Sequence, residues 1–566
     1  MNPRWLVLGT ASLLLGGSSF WLGCGTSKTP SHGASGSPSE SGLASGGGGQ
    51  AAGSAGAATG SSGANSGATS SPGPVDLSVN VLERNKHPSR DGNFVQPTLA
   101  KSTLATMALD TTFNATFNGA MWASPVYLAS GPGGKGVFFA VTTGNDVFAL
   151  DETDGHDVWG GPHNIGTPAP NDGPPPYCGN IHPLGILSTP VIDATPGPDG
   201  FATIYVAGAV GQQYIESHEV HALSVKDGSE RAGWPVNVST IQAAASTDAG
   251  ITNFHLTASN QRSALSLVSG ILYVAYGGHV GDCDTYRGWV IAIDTSNPSK
   301  TGAWVTTGQG EAIWAAGGMA SDGNGVIAVT SNRTSGGGPP HQDSEEVVRI
   351  TGLATLARSN ATIFYPSNWA ELDTGDLDFG SSSPVLLAVG GVSYVAALTK
   401  NGDFYLLNAA NFGGTDTGNF VPPGGAYLKI AEDGMSVRTA PAAYTSATGA
   451  HVVFNANGPE GCPMGAGTSI MSVLLPPGSP PAPKVAWCAS TSSQTSPIVT
   501  TTDGVTDAVV WFVNGSSLVG VDGDTGATVV TATGACNNVR QWTSPIAVKG
   551  RIIAGGDGNL CSWSVH

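Results

Sequence analysis

The chain is poor in charge, and poorest in positive charge. Of its 566 residues, 22 are Lys or Arg and 40 are Asp or Glu, a formal net charge of −18 with only 11% charged residues. No basic stripe runs through it, which excludes nucleic-acid binding and adhesion to an anionic membrane through the folded body. Beyond the N-terminus no apolar period of 3.6 residues is sustained, so a helical bundle is excluded too. Cysteine is scarce, seven in all. None stand at metal-site spacing and no CxxCH is present, so no haem is expected. Glycine (82) and proline (37) are plentiful, a composition suited to many short strands joined by tight turns.

Residues 1–24 read as an export signal, with Arg4 at the positive start and an apolar run over 6–22. Trp21-Leu22-Gly23-Cys24 resembles a bacterial lipoprotein cleavage box, so Cys24 is the expected lipidation site; an ordinary secretory signal is the alternative. Either way the body is expected outside the cytoplasm, as an outer-membrane lipoprotein or a periplasmic or cell-surface protein, touching the membrane only through the anchor. Setting Cys24 aside leaves Cys178, Cys283, Cys462, Cys488, Cys536 and Cys561 for disulfides in an oxidising compartment. Neighbours in sequence suggest Cys462–Cys488 and Cys536–Cys561, leaving Cys178 with Cys283, although other connectivities are formally open. Residues 25–74 are rich in Gly, Ser and Ala and cannot bury enough apolar surface to order themselves, so a disordered linker spanning roughly 40 Å is expected.

The folded body is placed at residues 75–566 and is built on a repeat. NDVFALDETDGHDVW (145–159) gives a short apolar strand, an Asp-Gly turn and an outer strand whose Trp159 packs on the next unit. Degenerate copies stand at 220–234, 290–304 and 518–529. Each unit tends to open on a Ser/Thr-Pro step before an apolar strand, as at Ser124-Pro125, Thr189-Pro190, Ser383-Pro384, Ser496-Pro497 and Ser544-Pro545, with Ala440-Pro441 a variant. Two further units, from Ala264 and from Met319, lack the proline. Such units bury their apolar faces only by stacking on one another. The last unit has no room for an outermost strand, and residues 110–118 are expected to supply it and close the ring. The reading is an all-β, eight-bladed β-propeller, with seven blades the alternative.

These units resemble the blades of the quinoprotein-like (PQQ-repeat) β-propellers over nearly all of 75–566. That resemblance directs attention to residues 279–408. It implies Trp314 (GEAIWAAGG) as the floor beneath a PQQ cofactor and Asn332 (IAVTSNR) as a calcium ligand. It implies Asp378 (GDLDFGSSSPVLL) as catalytic base and Lys400 (LTKNGDFYLLN) as the cation contacting the quinone. Where the family carries a calcium-binding Glu, GGHVGDCDTYRG offers Asp282 or Asp284, and the adjacent Cys-Cys pair of many such dehydrogenases is absent. The residues also admit plainer roles: Asn332 as a strand-ending turn like Asn145, and Lys400-Asn401-Gly402 as a hairpin turn. His279, Asp282 and Asp284 are a further metal-ligand candidate, and Asp373, Asp376 and Asp378 read as a solvated turn rather than a calcium loop. Arg262 and Arg438, just ahead of inner strands, are placed at the central channel, to bind an anion or to pair with carboxylates. Function is accordingly expected to be ligand binding or scaffolding, with a ligand or protein partner at the central funnel or one loop face. The alternative is a PQQ- and calcium-dependent alcohol or sugar dehydrogenase, and a third reading is an outer-membrane assembly partner.

Overall fold

The structure is a computed structural model and describes residues 79–171, 179–246, 250–334, 336, 338–414, 420–431, 437–462, 469–534 and 536–566. The signal segment with Cys24, the linker over 25–74, and Cys178 lie outside the described residues.

Eight antiparallel sheets follow one another along the chain, forming an eight-bladed β-propeller. The first blade shows the pattern, with Val126–Leu128, Val137–Val141, Asp146–Asp151 and His163–Asn164 pairing in chain order from the axis outward. Inner strands of the later blades begin at Val191, Ser266, Val385, Ala442, Ile498 and Ile546. The fourth blade holds Val326–Val329, Val347–Ile350 and Ile363–Phe364, and its inner position is taken by the Ala320–Ile327 bridge. Middle strands such as VFFAV are buried throughout because blades stack on both their faces, which is why they read as continuous apolar runs. The described residues include one short α-helix, Trp369–Gly375, and no helix long and apolar enough to cross a membrane.

The turn of the repeat binds blade to blade. The Trp159 indole donates to the carbonyl of Val225 in the second blade at 3.0 Å, and the Trp487 indole of the sixth blade donates to Gly523 of the seventh at 2.7 Å. Trp159 itself lies in the turn ahead of the outer strand rather than within it. Burying one such indole removes roughly 150–250 Å² from water, about 4–6 kcal/mol before entropy is charged against it.

The N-terminal part closes the ring. Ala108–Leu109 and Ala115–Thr116 both pair antiparallel with the last strand, Asn559–Ser564, as the outermost layer of the eighth blade. The closing element is therefore two short pieces joined by a turn, where a single strand over 110–118 was expected. It leans on the first blade: Asn114 donates to the carbonyl of Asp154, and a Cβ on Gly155 (φ +82°) would meet Ala115 N at 2.5 Å. One apolar cluster runs from Ile204 through Phe138 and Trp563 to Trp511, so the seam is packed like any other interface. Cys462–Cys488 and Cys536–Cys561 are disulfides, each with Cα atoms 5.6 Å apart.

The segment just before this, which reads in sequence as a polar turn, winds round the inner edge of the ring in blade order. Val81 bridges Tyr127, and Leu82 O accepts from Ile192 N. Arg90 donates to Leu265 O, while Pro88 O, Ser89 O, Asp91 O and Gly92 O accept from Ser321, Leu386, Ala443 and Val499. Asn93–Val95 then lies parallel to Ile498–Thr501, and Gln96 Oε1 accepts from Gly550 N. Each blade thus gives this segment a hydrogen bond near its inner edge, which leaves that edge satisfied. Its polar side chains fill the axis, with Arg84, Asn85 and Arg90 each 1% exposed.

Candidate functional site

The channel opens into a cavity of about 330 Å³ at the loop ends that precede the inner strands. That volume lies at the lower end of the range, about 300–1,000 Å³, that small-molecule sites occupy. Trp314 comes from the connection between the third and fourth blades, Asn332 from the end of a fourth-blade strand, Asp378 from the approach to the fifth blade, and Lys400 from a fifth-blade hairpin. All four line this cavity, together with Asp282, Arg262 and Arg438.

The centre of the site is an ion pair. Lys400 Nζ lies 2.5 Å from Asp378 Oδ2 and 2.9 Å from Asp376 Oδ1. Asp378 Oδ1 accepts the backbone N–H of Asn332 at 3.0 Å. Burial pushes the Asp378 carboxyl up, and the Lys400 ammonium draws it back. For Lys400 burial acts downward, but Asp378 and Asp376 outweigh it and hold the ammonium above its ordinary value. The same ammonium sits 5.7 Å from the centre of the Trp314 ring, and the Arg262 guanidinium lies 5.2 Å from it. The half-buried indole is a flat surface flanked by two cations.

Behind Asp378, residues 331–346 fold inward. Glu345 and Glu346 are fully buried, and burial holds both carboxyls well above their usual range. Glu345 accepts the N–H of Phe379, next to Asp378. Burial, then Asp343, raises Glu311 to about 8. Arg358 spans Asp343 at 2.6 Å and Glu346 at 2.7 Å. The Asp373 stretch forms the short helix rather than a solvated turn, and Asp373 is buried, accepting from Arg333 N and Ser344 Oγ. Asp376 ends that helix in the left-handed region, at φ 52°.

The other candidates are less converged. Asp282 accepts the Tyr286 hydroxyl at 2.6 Å, Asp284 is exposed, and His279 is buried with Nε2 3.2 Å from Thr257 O. Burial lowers His279 to about 3, leaving a neutral imidazole. Among the described residues these three do not bring ligand atoms together; the one such group is Asp151, Asp154 and His156, none of which lines the cavity. Sequence reasoning passed over Trp542, which lines the wall and stacks on Trp122 at 5.0 Å. Its signal was present: Gln541-Trp542-Thr543-Ser544-Pro545 repeats the Met121-Trp122-Ala123-Ser124-Pro125 step. Trp122, Leu187, Arg262, Trp314, Ala316 and Trp542 form a narrow throat below the cavity.

The wall combines the flat Trp314 indole with three cations, Arg262, Lys400 and Arg438, and three carboxylates, Asp282, Asp376 and Asp378. Ser331, Trp542 and Arg438 line it, and their Oγ, Nε1 and Nε atoms are buried without a hydrogen-bond partner. For a PQQ-type quinone, Trp314 would be the floor, with Lys400, Arg262 and Arg438 facing its oxygens. For calcium, Asn332 and Asp282 both stand on the wall, two donors toward the roughly 6–8 oxygens the ion takes.

No protein-family model matches the sequence, and neither does any curated protein. Solved structures do match in shape. A quinohemoprotein alcohol dehydrogenase from Comamonas testosteroni superposes with a TM-score of 0.56 at 14% identity, covering 86% of this chain and 80% of that one. A quinohemoprotein alcohol dehydrogenase from Pseudomonas putida HK5 gives 0.56 at 13% identity, again over 86% and 80%. The fold is the quinoprotein-like propeller. At such identity the likeness concerns backbone architecture, and the chemistry of this propeller rests on its own cavity.

Proposed function

We propose that the funnel binds a planar quinone of the PQQ class and oxidises an alcohol or sugar hydroxyl. The observation that supports this reading most is that Trp314, Asn332, Asp378 and Lys400, from separate turns, line one cavity with Lys400 joining Asp378 to the indole. Bound there, the quinone would supply the two-electron acceptor for the carbinol hydride, to be reoxidised by an external dye. Trp314 orients a flat ligand, with Arg262 and Arg438 beside it on the wall. The hydroxyl proton passes to Asp378 Oδ2, which keeps a free lone pair beside Lys400. Once Asp378 is neutral, Lys400 is the cation left to stabilise negative charge in the cavity. Buried Glu345 and Phe379 keep water from the far side of Asp378.

Reconstitution with PQQ, with and without calcium, followed by dye-linked oxidation of an alcohol panel, tests this. The expected result is one PQQ per chain, binding weakened at least about tenfold in Trp314→Ala, and Asp378→Asn that binds but turns over at least about 100-fold more slowly. No retained PQQ sinks the reading. Binding without turnover would leave the second one, a ligand-binding module, which draws support from both Asp378 oxygens already being engaged. The proposal extends to the N-terminus: export, and lipid attachment at Cys24 to the outer membrane or cell surface. Labelled palmitate incorporated equally by wild type and Cys24→Ser would refute that part.

A further inference from the structure

The repeat is broken at the junction of the second and third blades. The third strands of four blades end at Asp151, Ser224, Asp294 and Asp522, and the residues four places on are Gly155, Gly228, Pro298 and Gly526. The three glycines hold positive φ, at 82°, 74° and 72°. Two of them lie beneath the indole of the preceding blade. A Cβ on Gly228 would meet the Trp159 ring at 3.1 Å, and one on Gly526 the Trp487 ring at 2.7 Å. Those indoles thereby reach Val225 O and Gly523 O, each the first residue past its third strand. Proline cannot adopt that backbone conformation. Pro298 instead stands against the turn of the second blade, where a Cβ on Gly233 would meet its ring at 3.0 Å. Trp234, the second blade's indole, packs on Tyr205 with ring centres 5.4 Å apart. Among the described residues it makes no hydrogen bond to Thr295, which stands in the place of Val225 and Gly523.

What opens is a cleft of about 400 Å³, inside the range of about 300–1,000 Å³ that small-molecule sites occupy. It lies at the far end of the inner strands from the funnel, since the loop after Val191–Asp193 forms one wall. The half-buried Trp234 supplies a flat apolar face, flanked by Pro196 and Pro298. Asp193, Thr195 and Ser296 bring polar groups to the same cleft. Asp193 Oδ1 accepts the Thr195 N–H at 2.9 Å, which leaves Oδ2 for a ligand. The one cation of the lining, Arg231, is engaged inward: Nη1 lies 2.7 Å from Asp199, Nη2 donates to Phe201 O and Ala202 O, and Nε donates to Thr203 Oγ1. An anion therefore finds no free cation here. A sugar ring matches the lining, because it has an apolar C–H face to lie on an indole and hydroxyls round its edge for a carboxylate and hydroxyls to bond.

We propose that the cleft between the turns of the second and third blades binds a neutral saccharide, with Trp234 as its stacking platform and Asp193 as acceptor for its hydroxyls. The site is separate from the funnel and independent of any quinone. The test is saturation-transfer NMR on the intact protein with glucose, galactose, mannose, maltose and cellobiose, each raised to about 50 mM. At least one of these sugars is expected to bind. Trp234→Ala should weaken that binding at least about tenfold, and Trp314→Ala should leave it unchanged. Asp193→Asn keeps an oxygen for the Thr195 N–H but puts a donor where the free acceptor stood, and should weaken binding about three- to tenfold. That variant decides the matter if Trp234→Ala does not fold. Loss of binding in Trp314→Ala with none in Trp234→Ala or Asp193→Asn would place the sugar in the funnel and overturn the proposal. Absence of signal from every sugar overturns it as well, including where a polyproline peptide binds the cleft instead.

Discussion

Replacing Lys400 with Met probes the centre of the site most directly. The Lys400 side chain is 9% exposed and that of Asp378 4%, so the substitution strands a carboxylate that water barely reaches. Removing one member of a buried ion pair costs about 3–5 kcal/mol. The Asp376 contact adds little, since that carboxylate is 56% exposed and surface pairs are worth about 0–1 kcal/mol. Asp378→Asn keeps an oxygen for the Asn332 N–H and leaves the ammonium Asp376, so its cost should be smaller, about 2–3 kcal/mol. In the double variant both charges are gone, and the loss should fall short of the sum by at least about 2 kcal/mol. Guanidinium unfolding at pH 7 measures all four proteins, with coincident fluorescence and circular dichroism transitions as the check on two-state behaviour. Costs that add to within about 0.5 kcal/mol would refute the claim that the two groups are coupled in a desolvated site.

Three other outcomes are expected. Cys536→Ser with Cys561→Ser opens a link of sequence separation 25 and should destabilise by about 3.5 kcal/mol on the chain-entropy estimate, read by denaturant midpoint under oxidising conditions. His218 is held at about 4 by burial, below its ordinary 6.5, so its contribution is fully present above about pH 6.5 and is lost as pH falls toward 4. His218→Gln should therefore remove up to about 3 kcal/mol of acid sensitivity from the melting profile. Asn85→Ala removes bonds to Arg90 O, Pro441 O and Ser544 at a residue with φ 56°, and should cost about 3–5 kcal/mol in thermal or denaturant unfolding.

Much of the ring was legible because its determinants are local. An apolar strand, an Asp-Gly turn and a Ser/Thr-Pro opening are each written within a few residues, and Cys462–Cys488 and Cys536–Cys561 join neighbours in sequence. Missing room for a last outer strand pointed to closure by the N-terminal part, although the pairing uses two short pieces with a turn between them. The cavity residues were found in a different way. Trp314, Asn332, Asp378 and Lys400 were named by resemblance, and Arg262 and Arg438 by their place ahead of inner strands. Nothing in residue spacing says that an ammonium from a fifth-blade hairpin reaches both Asp378 and an indole from another connection.

By itself, then, the sequence determined the repeat, the all-β class and the closed ring, because strand alternation and turn chemistry act over short range and stacking follows from them. Tertiary structure alone decided the fate of the charges. Residues 83–91 carry Glu83, Arg84, Lys86 and Arg90 in a stretch that reads as polar with turn residues, yet all four are buried. Arg90 pairs with Glu83 and also donates to Leu265 O and Met319 O, 175 and 229 residues away in the third blade and the approach to the fourth. The Glu311, Glu345 and Glu346 carboxyls are likewise buried. Charge in an apolar interior is costly without a partner, and for Arg90, as for Lys400 and Asp378, the partners are brought together only by the tertiary fold.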